Sequence, residues 1–254
     1  LFILNGLPIN QMSDQSPLSQ HQEEDQTIMG IWQHIGELRK RLFIAVVVYI
    51  ITTLASFIFA DKFIVLLTRP IGGITKLISI EVTENVSVFM RVSLLSGFIL
   101  ALPVILYELV AFVVPGLTTS ERRWLILGIP LATVLFVTGV VFAYFVMLPA
   151  ALPFLISFLG VTTTPRLSNY INFVTNLLFW IGVSFETPLI VFLLAKLKIV
   201  NAGMLAHQWR IAIVVIAVMA AVVTPTPDPV NMGLLMLPLF VLYLLSILLA
   251  RLAQ

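Results

Sequence analysis

NFVTNLLFWIGVSFETPLIVFLLAK (Asn172 to Lys196) is the stretch on which the fold turns. It is an apolar run long enough to cross a hydrocarbon core, which takes about 20 helical residues. Its only acidic residue is Glu186, followed two places on by Pro188. An ionisable group at that depth faces a bundle interior or a wet cavity, and marks function more often than not. The competing reading is a buried carboxylate that ties helices together through hydrogen bonds.

The rest of the chain has the same character. Of its 254 residues 60% are hydrophobic and 10% charged, against about 25% charged in a soluble domain. Several further apolar runs reach spanning length, so the chain reads as an all-α integral membrane protein. There is no cysteine, which excludes disulfides, thiolate catalysis and Cys-based metal sites. Three histidines (His21, His34, His207) without metal-binding spacing give no reason to expect a metal or a cofactor. A net charge of +2 does not argue for nucleic acid. Residues 1–27, polar and acidic after Met12, read as a flexible tail preceding a transmembrane domain over 28–251. They lack a basic n-region and a clear cleavage site, so a signal peptide is not expected, and Met12 is a candidate natural start.

Six spans can be drawn, at about 42–60, 89–114, 124–148, 171–194, 209–223 and 232–249. One side of them collects Arg39, Lys40, Arg41, Arg122, Arg123, Lys196, Lys198, Arg210 and Arg251; the other holds Lys62, Arg69, Lys76, Arg91 and Arg166. The excess of basic residues on the first side places both termini in the cytoplasm. The fifth segment, 15 residues by this drawing, is about 22 Å long against a core of roughly 30 Å. The sixth is also marginal, so the pair is expected to thin the bilayer locally or to be flanked by wetted surface. A plainer alternative lets Val200 to Ala206 extend the fifth helix, with His207 and Arg210 snorkelling. In the first outer connection, FIVLLTRPI and ITKLISI are broken by Arg69-Pro70 and Gly72-Gly73 and read as short surface helices. Pro149, Pro153 and Pro165 bend the third connection around FLISFL. Together these outer segments read as a lid over the bundle.

Before the first span stands HIGELRKRL (His34 to Leu42), where Glu37 lies one turn from Arg41. Orientation and anionic headgroups account for the bases, but account poorly for His34 and Glu37. In PGLTTSERRW, Thr118 and Glu121 make a capping box for the third span. The same short connection holds Glu121 at the membrane surface, where a carboxylate can take a guanidinium bidentately. Glu108, near the cytoplasmic end of the second span, has two readings: it extends an acidic patch, or it pairs with a nearby arginine.

With these residues in view the chain resembles the TatC family, the multi-span receptor subunit of the twin-arginine protein translocase. The family's HxxELRxR motif is met by His34, Glu37, Leu38, Arg39 and Arg41. Leu102 to Arg123 is similar to its second span and first cytoplasmic loop, GVSFETP to its fourth-span motif, and VVTPTPDP to the turn between its last two spans. The resemblance covers about Gly30 to Arg251. It implies six helices in a cupped bundle and a receptor for signal peptides of folded cargo bearing consecutive arginines. Glu37 and Glu121 would contact those arginines, with His34, Arg39, Arg41 and Arg123 shaping the patch and Phe112 and Pro115 supporting it. At Glu108 some family members carry an uncharged residue. Glu186 would lie inside the concave face and engage single-span partner subunits of the translocase. Pro70 would stiffen the outer loop and Asp228 shape the last outer turn. Contact with membrane lipids and self-association in the complex are implied too, and export would draw on the proton-motive force.

The physical task would be to recognise two adjacent arginines at a membrane surface. Two carboxylates on separate elements can each take one guanidinium, while a lysine would keep the charge and lose the planar fork. An alternative of another class is a proton- or cation-coupled solute transporter with Glu186 as coupling residue; a non-transporting scaffold is a third. An enzyme is least expected, because no nucleophile–base pair or metal set stands out.

Overall fold

The computed structural model describes residues 17–113, 119–157, 164–223 and 229–253. Within them the named elements are helical. They are α1 (Pro17–Phe57), α2 (Ala60–Thr68), two 3-10 turns (Arg69–Ile71 and Ile74–Lys76), α3 (Glu84–Val113) and α4 (Thr119–Phe142). A π-turn over Ala143–Met147 joins α4 to α5 (Leu148–Ser157), followed by α6 (Leu167–Phe185), α7 (Thr187–Lys196), α8 (Ala202–His207), α9 (Trp209–Val223) and α10 (Pro229–Ala253). Helix α1 starts at Pro17, inside the stretch read as a tail. Proline suits a first helical turn, and the Gln and Glu that follow are good helix formers, so the helix continues outward from the span.

Five stretches are long and apolar enough to cross a membrane: His34–Phe57, Glu84–Val113, Arg122–Pro153, Leu167–Lys196 and Met232–Ala253. Each starts earlier or ends later than its sequence-drawn limits, because apolarity marks only the part in hydrocarbon while the helices run on into the headgroup zone. The third extends furthest past its drawn end. It passes through the π-turn without breaking and reaches Pro153. Helix α9, with 15 residues, is as short as expected. The sixth segment is not: Met232–Ala253 is a 22-residue span, about 33 Å long. Nothing between Leu249 and Ala253 stops the helix, and Arg251 in its last turn complements the helix dipole. Helix does precede α9, as the plainer reading of the fifth span supposed, but as the separate α8, with Gln208 in a turn between them.

Helix α6 lies at the centre. Ile171, Val174, Leu177 and Ile181 are almost wholly buried against α3, the π-turn, α5, α9 and α10. Helix α1 is peripheral and packs mainly on α3. Their contact is close: a Cβ on Gly97 would stand 2.6 Å from the Cα of Thr53, and the Thr52 hydroxyl donates to the Gly97 carbonyl at 2.9 Å. Small residues at such crossings let helix backbones approach in lipid, where apolar packing brings no hydrophobic gain.

The two ends of the bundle are distinct. At one, the middle of α1, at His34, meets the end of α3, and Lys196 at the end of α7 donates to the Ala253 carbonyl of α10 at 3.3 Å while lying over the Trp124 ring of α4. At the other end α2 and the turns after it form a cap. The Tyr144 hydroxyl donates to the Leu66 carbonyl at 2.7 Å and the Tyr170 hydroxyl to that of Leu67 at 2.8 Å, bolting α2 to the π-turn and to α6. Gly72 and Gly73, at φ 96° and 100°, separate the two 3-10 turns in a conformation that side chains rarely adopt.

Candidate functional site

His34, Glu37 and Arg41 stand three and four residues apart, which stacks them on one face of α1. Glu108 and Phe112 do the same on α3. Because the two helices run antiparallel in contact, the faces meet. The Arg41 Nη2 and Nε donate to Glu37 Oε1 at 2.6 and 3.0 Å, and its Nη1 donates to Glu108 Oε2 at 3.2 Å. The His34 ring stacks on Phe112 with centroids 4.2 Å apart and planes 20° from parallel. One guanidinium thus sits between two carboxylates from two helices, and the three groups together carry one negative charge. Glu108 is only 9% exposed. A carboxylate that far from water needs a cation beside it, and Arg41 supplies one. Of the two readings of Glu108, the structure therefore has the arginine pair.

Arg39 and Lys40 point to the exposed side of α1, and Arg122 and Arg123 are exposed on the first turns of α4. Glu121 belongs to the first turn of α4, but its side chain lies outside the described residues, as do Pro115 and Asp228. Pro70 is in the first positions of the turn Arg69–Ile71, where its fixed φ suits a helical start and its missing N–H costs nothing.

Glu186 occupies the break between α6 and α7. Pro188 has no N–H to continue the ladder, so the chain closes the end of α6 with the shorter bond from Glu186 N–H to the Val183 carbonyl at 3.1 Å. The side chain is 7% exposed, and its Oε1 finds no hydrogen-bond partner among the described residues. Its neighbours Ser184 and Thr187 line a cavity of about 240 Å³ with Gln208, Ile216, Leu239 and Tyr243, from the end of α8 through α9 to α10. The break in the fourth span is thus set opposite the short helix. Among the described residues no group of three His, Asp or Glu is placed to hold a metal ion.

One cluster escaped sequence reading. Glu84, 2% exposed at the start of α3, accepts from the backbone N–H of Ser168 at 2.7 Å, from that of Ile80 at 2.9 Å, and from Arg166 Nε at 3.0 Å. Arg166 also reaches Glu81 at 2.8 Å. Hydrogen bonds from Glu81 and Glu84, with their charge, raise the Arg166 pKa above its usual value. Backbone bonds complete the tie, from Ile78 N–H to the Pro165 carbonyl and from Leu167 N–H to that of Ile78. The available signal was charge sign: Arg166 is the one base of the third connection, and the first ends in Glu81 and Glu84.

With this geometry in view, the chain can be set beside known proteins. The family model described as Sec-independent protein translocase protein (TatC) matches residues 33–238. The chain is similar to the Sec-independent protein translocase protein TatC of Carboxydothermus hydrogenoformans, 35% identical over 226 residues, or 88% of this chain and 93% of that protein. It is also similar to that of Deinococcus radiodurans, 38% identical over 233 residues, covering 87% and 85%. A crystal structure of the twin arginine translocase receptor TatC superposes with a TM-score of 0.77 at 34% identity, covering 87% of this chain and 99% of that one.

Proposed function

Since the chain belongs to the TatC family of Sec-independent protein translocase proteins, we propose that it is a signal-peptide receptor and core subunit of a twin-arginine translocase, moving folded proteins across the membrane at the expense of the proton-motive force. The observation that carries the reading is the guanidinium already held at the α1–α3 crossing. Arg41 lies against Glu37 and Glu108 in the geometry that a signal-peptide arginine would need. Glu37 takes one incoming arginine and Glu121 the other. His34 and Phe112 wall the site, and Arg39, Arg41 and Arg123 shape its rim. The absence of any nucleotide-binding loop in the sequence fits an energy source outside the chain.

The proposed topology has six crossings: α1, α3, α4 with α5, α6 with α7, α9 and α10. Both termini face the cytoplasm, on the side where Arg39, Arg41, Lys196 and Arg251 gather, in a bacterial-type inner membrane. Glu186 engages the single-span partner subunits through the side where α9 is short, Pro70 stiffens the outer cap, and Asp228 shapes the last outer turn. Further copies of the chain and membrane lipids complete the assembly.

The test replaces Glu37 and Glu121 separately with Gln and measures crosslinking to a twin-arginine signal peptide in native membranes. Each change is expected to cut crosslinking at least about tenfold, the effect of losing one charge-assisted contact. Unchanged crosslinking in both variants removes the receptor assignment.

A further inference from the structure

The guanidinium that marks the recognition site also obstructs it. All of the hydrogen bonds from Arg41 to Glu37 converge on Oε1, so an incoming arginine meets a carboxylate already engaged by a cation of the chain itself. If Glu37 and Arg41 were the whole site it would be neutral, and a ligand guanidinium would have to expel Arg41 into a poorly solvated crevice. Glu108 changes that balance. It stands on the other side of Arg41, already in contact through Nη1 at 3.2 Å. Its side chain is less exposed than that of Glu37, at 11% against 33%, so it needs a permanent partner more than Glu37 does.

We infer that Glu108 is a positioning residue for recognition: when a ligand arginine claims Glu37, Arg41 turns wholly onto Glu108, and the site passes from one surplus negative charge to neutrality. The inference rests on the receptor reading above. The exchange swaps one guanidinium–carboxylate contact for another, so little binding free energy is spent on breaking the resident pair. It also favours arginine over lysine at that position, since the planar fork of the ligand takes over the directional bonds that Arg41 gives up.

The test measures binding of a labelled twin-arginine peptide, and of its twin-lysine counterpart, to the full chain in lipid nanodiscs. Wild-type protein is expected to prefer the arginine peptide. Glu108→Gln leaves Arg41 with Glu37 alone and is expected to weaken the arginine peptide by about tenfold, the size of one partly buried charge contact. The double variant Arg41→Gln, Glu108→Gln frees Glu37 from competition, and binding is expected to be at least about threefold tighter than in the single variant. That recovery is one a merely structural role for Glu108 does not produce, and it shows that the variant folds. Wild-type affinity in the single variant, or a double variant no better than the single, overturns the exchange while leaving the receptor reading in place. A wild-type protein that does not distinguish the two peptides removes both.

Discussion

Gly97 and Thr52 show what individual residues contribute to the crossing of α1 and α3. Gly97 has no room for a methyl group, because the Thr53 backbone stands where it would go. Gly97→Ala must therefore push α1 and α3 apart, at a cost of about 1–3 kcal/mol. Thr52→Val removes only a hydroxyl bond across the crossing, worth about 0.6 kcal/mol in a membrane helix pair. Unfolding in mixed micelles is expected to rank Gly97→Ala as the more damaging, and the reverse order contradicts the close crossing described here. At this scale the sequence singled out polar groups whose positions are costly. Glu186, Glu37 and His34 declare themselves by the cost of their positions. Glu108 did not, since its partner belongs to another helix and only the crossing decides between a patch and a pair.

Among the elements, the cap formed by α2 and the turns after it depends on Glu84 more than on its own helices. Segments 78–81 and 165–168 share one carboxylate, and α2 is held from below by two tyrosine hydroxyls. Glu84→Ala removes the acceptor of two backbone N–H groups and one guanidinium, so the connection over 69–83 is expected to open while the α1–α3 crossing stays closed. Limited proteolysis from the outer side is the measurement: cleavage within 69–83 rises several-fold in the variant, and an unchanged pattern argues against the latch. The short helices of this cap were legible because Arg69-Pro70 and Gly72-Gly73 punctuate them. The latch was not, because Arg166 and Glu84 are 82 positions apart and neither carries a local pattern. The sixth span is drawn too short for a related reason: it is ended at Leu249, ahead of the charge of Arg251, whereas a long side chain can leave the core while its backbone stays helical.

Taken whole, the function proposed above divides the molecule into a recognition cluster and an assembly face. The Glu37–Arg41–Glu108 cluster sits where the middle of α1 meets the end of α3, and Glu186 sits at the α6–α7 break, with no partner shared between them. Glu186→Ala is accordingly expected to leave signal-peptide crosslinking within about twofold of wild type, as distant sites act independently, while export of a folded reporter falls by about tenfold or more. Loss of peptide crosslinking in that variant contradicts the separation. The all-helical class and the motif positions could be read from one sequence because lipid permits few spanning structures. The division of labour among faces could not, since it depends on which helices touch.

The ion pair under the outer cap has a further consequence for a chain without cysteine. Disulfides are a common staple for loops in extracellular domains; here a carboxylate and a guanidinium join two loops. A staple of that kind is blind to reductants and oxidants, so thiol reagents leave the cap closed. Its weakness is chemical mimicry: free guanidinium in solution competes for Glu84 with the very group that Arg166 supplies, and loosens the cap before it unfolds the helices beneath.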